Sequence, residues 1–73
     1  MDNYRLKIKE FRQIKKLTQK QLAERTGISR SYLSELENQK YSIKLPLLLK
    51  ISTVLEIDPW ILLEAKLKGG NTH

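Results

Sequence analysis

The chain has 73 residues, 40% of them hydrophobic and 30% charged, which sets a single small folded domain and excludes a disordered chain. It contains no cysteine, which excludes a disulfide, a thiolate metal site and a cysteine nucleophile. Lysine and arginine number 14 against 8 acids, for a net charge of +6. The whole excess lies in residues 1–44, with 11 bases and 5 acids, whereas residues 45–73 carry 3 of each and are rich in leucine and isoleucine. A basic part favours a polyanionic partner, and a neutral apolar part favours core or self-association. The longest apolar stretch, Leu45–Leu55, is interrupted by Lys50 and falls short of the ~18 residues that span a bilayer. The start, Met1-Asp2-Asn3, carries no basic-then-apolar leader, so a reducing cytoplasm is the expected compartment.

No stretch shows the two-residue alternation of a strand, and apolar residues recur at intervals of three and four. A first helix is expected from Tyr4 to about Lys16, with Tyr4, Ile8, Phe11 and Lys15 along one side and Ile14 one turn beyond Phe11. Thr18 and Gln21 have the spacing of a capping box that opens a second helix, with Leu22 and Ala23 buried and Gly27 as its stop. Ser29 suits the N-cap of a third helix, Ile28 and Leu33 are placed to form a hydrophobic staple, and Leu33 and Leu36 mark its inner face. Residues 38–43 read as an irregular loop. A fourth helix follows over Leu45–Leu55, with Pro46 tolerated in its first turn and Leu48, Ile51 and Leu55 inward. Asp58 caps a short fifth helix that begins at Pro59 and turns Leu62 and Leu63 inward. Residues 1–67 thus form one domain, and residues 68–73 a patternless, flexible tail.

The second and third helices carry the functional signal. Ala23 is small where the two would cross, Gly27 makes a tight turn four residues on, and Leu33 follows ten residues after Ala23. That is the spacing of a helix-turn-helix, in which two short helices pack at a steep angle and leave the outer face of the second free. The run over residues 18–38, with Gln19, Leu22, Ala23, Gly27, Ile28, Leu33, Leu36 and Glu37, resembles the Cro and lambda-repressor-like (XRE) helix-turn-helix family. The likeness extends back through Ile8, Phe11, Arg12 and Leu17 and forward through Leu47, Leu48, Ile51, Leu55, Ile57 and Leu62. It implies an all-α, compact five-helix DNA-binding domain that works as a dimer on a near-palindromic operator. Lys16, Gln39 and Glu56 stand where the family often has glycine, which predicts strained or differently closed turns at these three places.

The resemblance implies base contacts from Ser29, Arg30, Ser31, Tyr32 and Glu35, because Leu33 and Leu36 turn the other side of the third helix outward, together with Ser34. Arg30 can donate twice to guanine O6 and N7. Ser31 can donate or accept, Tyr32 can meet a thymine methyl or a phosphate, and Glu35 can accept from cytosine N4 or merely orient Arg30 or Arg25. Phosphate contacts are expected from Gln19, at a helix N-terminus, and from Asn38 and Lys40, which match the family's, with Tyr41, Lys44 and Lys9 as weaker candidates. Lys20 and Arg25 read equally as solvated surface. The family pattern pairs Arg12 with Glu37 in a partly buried salt bridge between the first and third helices. Trp60 and Ile61 lack an inward role and are expected, with Pro59, at a homodimer interface, the alternative being that Trp60 folds back on the core.

Enzyme chemistry is not expected. The single histidine is His73, the serines have no base partner, no phosphate-binding glycine loop exists, and no cluster has metal-ligand spacing. No metal, cofactor, small-molecule ligand or membrane partner is expected. The reading is a sequence-specific transcriptional regulator of double-stranded DNA, most simply a repressor. Three others stand beside it: a restriction–modification controller or antitoxin-type autoregulator, a protein-interaction module that has lost DNA binding, and the N-terminal part of a longer repressor.

Overall fold

The computed structural model describes residues 4–65. In chain order these form β1 (Tyr4–Leu6), α1 (Ile8–Ile14), α2 (Gln19–Thr26), α3 (Arg30–Glu37), α4 (Leu45–Leu55), α5 (Pro59–Leu62) and β2 (Leu63–Ala65). The tail expected at residues 68–73 lies outside the described residues.

The five expected helices are present, and the local signals that open and close them are made as hydrogen bonds. Thr18 accepts from the Gln21 backbone N–H at 3.0 Å while the Gln21 side chain accepts from the Thr18 N–H at 2.9 Å, a complete capping box. Gly27 ends α2 with φ +79°, and its N–H donates to the Ala23 carbonyl. Ser29 Oγ caps α3 through the Tyr32 N–H at 3.0 Å, and Asp58 caps α5 through the Trp60 N–H at 2.9 Å. Pro46 sits in the first turn of α4, where its missing N–H leaves nothing unpaired.

Two expectations fail at the chain ends. Tyr4 does not begin α1: residues 4–6 form a strand that pairs antiparallel with residues 63–65, Tyr4 opposite Ala65, Arg5 opposite Glu64 and Leu6 opposite Leu63. Leu63 accordingly lies on β2, half-buried against the core, and not on α5. The inner face of α1 is Ile8 and Arg12 with Phe11 half-buried beside them, while Ile14 and Lys15 are exposed. The physical reason is that three-residue strands are too short to display alternation, and their pairing is decided across the fold. Leu6 and Leu62 are both buried in the core, and the Lys7 N–H donates to the Leu62 carbonyl at 2.8 Å, which zips the two ends together.

The core joins every helix. Leu22 and Ala23 of α2 meet Leu33 and Leu36 of α3, Leu48, Ile51 and Leu55 of α4, and Leu62 of α5, with Leu6 and Ile8 closing one end. Ile28 and Ile43 pack on this cluster from the loops. α2 lies against both α3 and α4, the arrangement that the small Ala23 permits. Among the described residues the two buried hydroxyls are satisfied within their own helices: Thr26 donates to the Leu22 carbonyl at 2.8 Å, and Ser52 to that of Leu49 at 2.9 Å.

Lys16, Gln39 and Glu56 are left-handed, with φ +60°, +63° and +60°. A side chain in that region costs roughly 1–2 kcal/mol relative to the ordinary helical one. Two of the three use the side chain that glycine lacks. Glu56 Oε1 accepts from Lys15 Nζ at 2.7 Å, and that hydrogen bond and charge hold its carboxyl below the usual range. The Gln39 amide does more. Its Oε1 accepts from the Leu6 N–H at 2.9 Å, and its Nε2 donates to the Leu6 carbonyl at 2.9 Å and the Glu37 carbonyl at 3.1 Å. One side chain thus pairs the free edge of β1 as a third strand would, and ties it to the end of α3. Arg5, of the same strand, bonds Glu10 at 2.7 Å. Partial burial pushes the Glu10 carboxyl up, but the Arg5 hydrogen bond, a backbone hydrogen bond and the charges of Arg5 and Lys7 together outweigh it, and the net shift is downward.

Gln39→Ala keeps the strain and removes the clamp, so it is expected to cost roughly 2–3 kcal/mol in urea unfolding and to lower the hydrogen-exchange protection of the Leu6 amide. Gln39→Gly removes both, and is expected to recover about 1 kcal/mol of that loss.

Candidate nucleic-acid interface

α3 is divided lengthwise. Leu33 and Leu36 are fully buried, while Arg30 and Ser31, its first two residues, are exposed. Ser34 and Glu35 are half-buried, so the outward face is narrower than helical spacing alone predicts, and is freest at its N-terminal end. Ser29 is exposed, with its hydroxyl occupied as the cap. Tyr32 is half-buried against the core and its ring meets that of Tyr41 at 6.2 Å between centroids, tilted by 45°. The two tyrosines therefore behave as one aromatic unit flanking α3.

Beyond α3, Asn38, Lys40, Tyr41 and Lys44 are all exposed. The Lys40 N–H donates to the Glu35 carbonyl at 3.0 Å and fixes the start of this loop against the helix. Gln19, the first residue of α2, shares with Arg30, Ser31 and Ser34 an open depression of about 320 Å³. Residues separated by a dozen positions in the chain are thus brought to one surface, and no acid lines it. Lys9, Lys20 and Arg25 are also exposed.

Behind that surface lies a buried polar network. Arg12 Nε and Nη2 donate to the two oxygens of Glu37 at 2.7 and 3.1 Å, a bidentate pair between α1 and α3. Gln19 Nε2 donates to Glu37 Oε1 at 3.0 Å, and Arg12 Nη1 donates to the Leu17 carbonyl at 2.8 Å. The Glu37 side chain is 2% exposed and that of Arg12 10%. Desolvated to this degree, each charge depends on the other.

On α5, Trp60 is 73% and Ile61 49% exposed, and Pro59 is half-buried, so Trp60 does not fold back on the core. Leu45 and Leu49 of α4 are exposed as well, which the inward stripe of Leu48, Ile51 and Leu55 did not bring out. Their signal is the four-residue interval on the other side of the same helix. Among the described residues no group of acids or histidines could hold a metal ion, and no helix is long and apolar enough to cross a membrane.

Arg12→Ala strands the Glu37 carboxylate in a dry site and is expected to cost about 3–5 kcal/mol in urea unfolding. The double change Arg12→Met with Glu37→Leu removes both charges and is expected to recover most of that loss. A single variant as stable as the parent would show that the pair is energetically idle.

The geometry agrees with what the chain is similar to. Residues 8–59 match the sequence profile of the helix-turn-helix family. The immunity repressor protein of Bacillus phage phi105 is 43% identical over 51 residues, covering 70% of this chain and 35% of that protein, so the chain spans about a third of the length of this relative. The restriction-modification controller protein C.AhdI from Aeromonas hydrophila superposes with a TM-score of 0.72 at 36% identity, over 75% of this chain and 83% of that one. The biofilm regulator SinR, solved in complex with DNA, does so with a TM-score of 0.71 at 34% identity, over 75% and 89%. SinR from Bacillus subtilis is also matched through its isolated N-terminal DNA-binding domain. With the helix-turn-helix formed by α2 and α3, and its profile matched over most of the chain, this protein belongs to the Cro and lambda-repressor-like (XRE) family of DNA-binding transcription regulators, and not to a family of enzymes.

Proposed function

We propose that the protein is a sequence-specific transcriptional repressor that binds a near-palindromic operator in double-stranded DNA as a homodimer, with residues 1–67 as the DNA-binding domain. The observation that carries this reading is the uncovered N-terminal end of α3. Arg30 and Ser31 stand free beside Gln19 on a surface without carboxylates, while the leucines of the same helix are locked in the core.

In this reading the start of α3 enters the major groove. Arg30 donates to guanine O6 and N7, Ser29 and Ser31 bond neighbouring base edges or sugars, and Glu35, half-buried, orients Arg30 or accepts from cytosine N4. The Tyr32–Tyr41 unit covers a thymine methyl or a phosphate. Gln19, Asn38, Lys40 and Lys44 hold the backbone on either side of α3 and set register without reading sequence. Trp60 and Ile61, with Pro59, supply the apolar contact between two copies, whose half-sites would lie about one helical turn, ~34–36 Å, apart. The place of action is the compartment of the operator, the cytoplasm. Similarity to a phage immunity repressor supports repression. Similarity to C.AhdI supports a second role of the same class, autoregulation as a restriction–modification controller.

Selection of bound duplexes from a random pool tests the reading and returns half-site and spacing together. Arg30→Ala is expected to weaken operator binding by ~1–3 kcal/mol and to relax the selected sequence at one base pair per half-site. Equal affinity of the parent for selected and random duplexes would overturn sequence specificity. Trp60→Ala is expected to shift the protein toward monomer in sedimentation equilibrium, and an unchanged dimer would remove α5 from the interface.

A further inference from the structure

α3 lies against α2 and α1, whereas α5 lies against α4 and β2. Two routes therefore join the helix that carries Arg30 to the helix that carries Trp60. One is apolar and runs through α2 and α4, with Leu33, Ala23, Ile51 and Leu62 in one cluster. The other is made of hydrogen bonds and runs through Gln39.

Gln39 is half-buried in the turn that closes α3, where its N–H donates to the Leu36 carbonyl at 3.1 Å. Its side chain leaves that turn and bonds both backbone groups of Leu6: Oε1 accepts from the N–H and Nε2 donates to the carbonyl, each at 2.9 Å. Nε2 also donates to the carbonyl of Glu37, the last residue of α3, at 3.1 Å. Leu6 lies opposite Leu63 in the ribbon, and the Lys7 N–H donates to the Leu62 carbonyl at 2.8 Å. No residue separates α5 from β2, so the placement of the strand constrains the helix. From Glu37 to Leu62 the link is thus backbone and a single amide, and that amide is pinned at three points. Hydrogen bonds weaken steeply with angle, whereas apolar contacts tolerate small rotations.

We infer that Gln39 is a positioning residue that fixes α3 relative to α5, and through that angle the half-site spacing the protein accepts. This role rests on the homodimeric DNA-binding reading and adds the residue that sets its geometry. In such a dimer the separation and tilt of the two α3 helices follow from the angle between α3 and α5 in each copy. One base pair more or less between half-sites moves one of them by about 3.4 Å and turns it by roughly 35° about the duplex axis. A dimer whose α3 is tightly tied to its interface meets that change by deforming the duplex, and a looser one by letting α3 swing. Gln39 touches no base here and acts on spacing alone.

Gln39→Gly keeps the turn, which glycine adopts without strain, and removes the clamp. The readout is the ratio of affinities for the selected operator and for operators with one base pair added to or removed from the spacer. The parent is expected to bind the altered spacings roughly 30-fold more weakly. Gln39→Gly is expected to narrow that penalty about fivefold, the size of effect of a residue that couples two sites, with affinity for a duplex bearing a single half-site within about twofold of the parent's. Gln39→Asn tolerates the same backbone with a side chain one methylene shorter, which does not span both partners, and is expected to give the same narrowing. An equal spacing penalty in the parent and both variants would overturn the inference. So would an affinity that falls by one common factor on every duplex, the single half-site included, since the clamp would then serve only the local contacts of α3. A parent that binds no duplex at low salt, or binds only as a monomer, would instead overturn the reading beneath it.

Discussion

Glu37 accepts three hydrogen bonds at the end of α3, two from Arg12 of α1 and one from Gln19 of α2. This almost dry carboxylate is where the three helices that build the surface are referred to one another. The leucines of α3 fix which side of the helix is buried, but apolar contacts tolerate small rotations. A bidentate guanidinium–carboxylate pair does not, because both hydrogen bonds lengthen together when the helix turns. The network therefore sets the angle at which Arg30 and Ser31 face outward, without itself reaching the surface. It also restrains Gln19, whose amide is held at the edge of the same depression.

A second restraint comes from the ends of the described chain. β1 and β2 pair across the fold, and Gln39 bonds the remaining edge of β1. Because Gln39 also bonds the Glu37 carbonyl, the C-terminal end of α3 is coupled through one amide to the ribbon. The ribbon in turn follows α5 directly, the helix that bears Trp60 and Ile61. The exposed start of α3 and the exposed apolar residues of α5 are thus joined by hydrogen bonds as well as by the common core. A fold this short has a small core, so polar ties between its elements weigh more than in a larger one.

Three left-handed side chains in so short a chain are a considerable local cost, and each is answered differently. Gln39 stabilises an edge strand and Glu56 takes an exposed ion pair, which contributes little at the surface. At Lys16 the return is the closure of α1, where its N–H donates to the Gln13 carbonyl at 2.9 Å and the Leu17 N–H to that of Arg12 at 3.1 Å.

The helices were legible in the sequence because their signals are local. Thr18 with Gln21, Gly27, Ser29, Pro46 and Asp58 act within four residues of where they stand, and the leucine spacing follows from 3.6 residues per turn. The outward placement of Arg30 and the pairing of Arg12 with Glu37 followed from that spacing and from likeness to a family. The positive φ at Lys16, Gln39 and Glu56 was legible as strain but not in its use. What only the tertiary structure decided depends on contacts between distant parts of the chain. The β1–β2 ribbon needs residues 4–6 and 63–65 to meet, and three residues carry too little pattern to announce a partner. The Gln39 clamp and the depression shared by Gln19 and Arg30 exist only once the elements are packed, because neither is a property of any one segment.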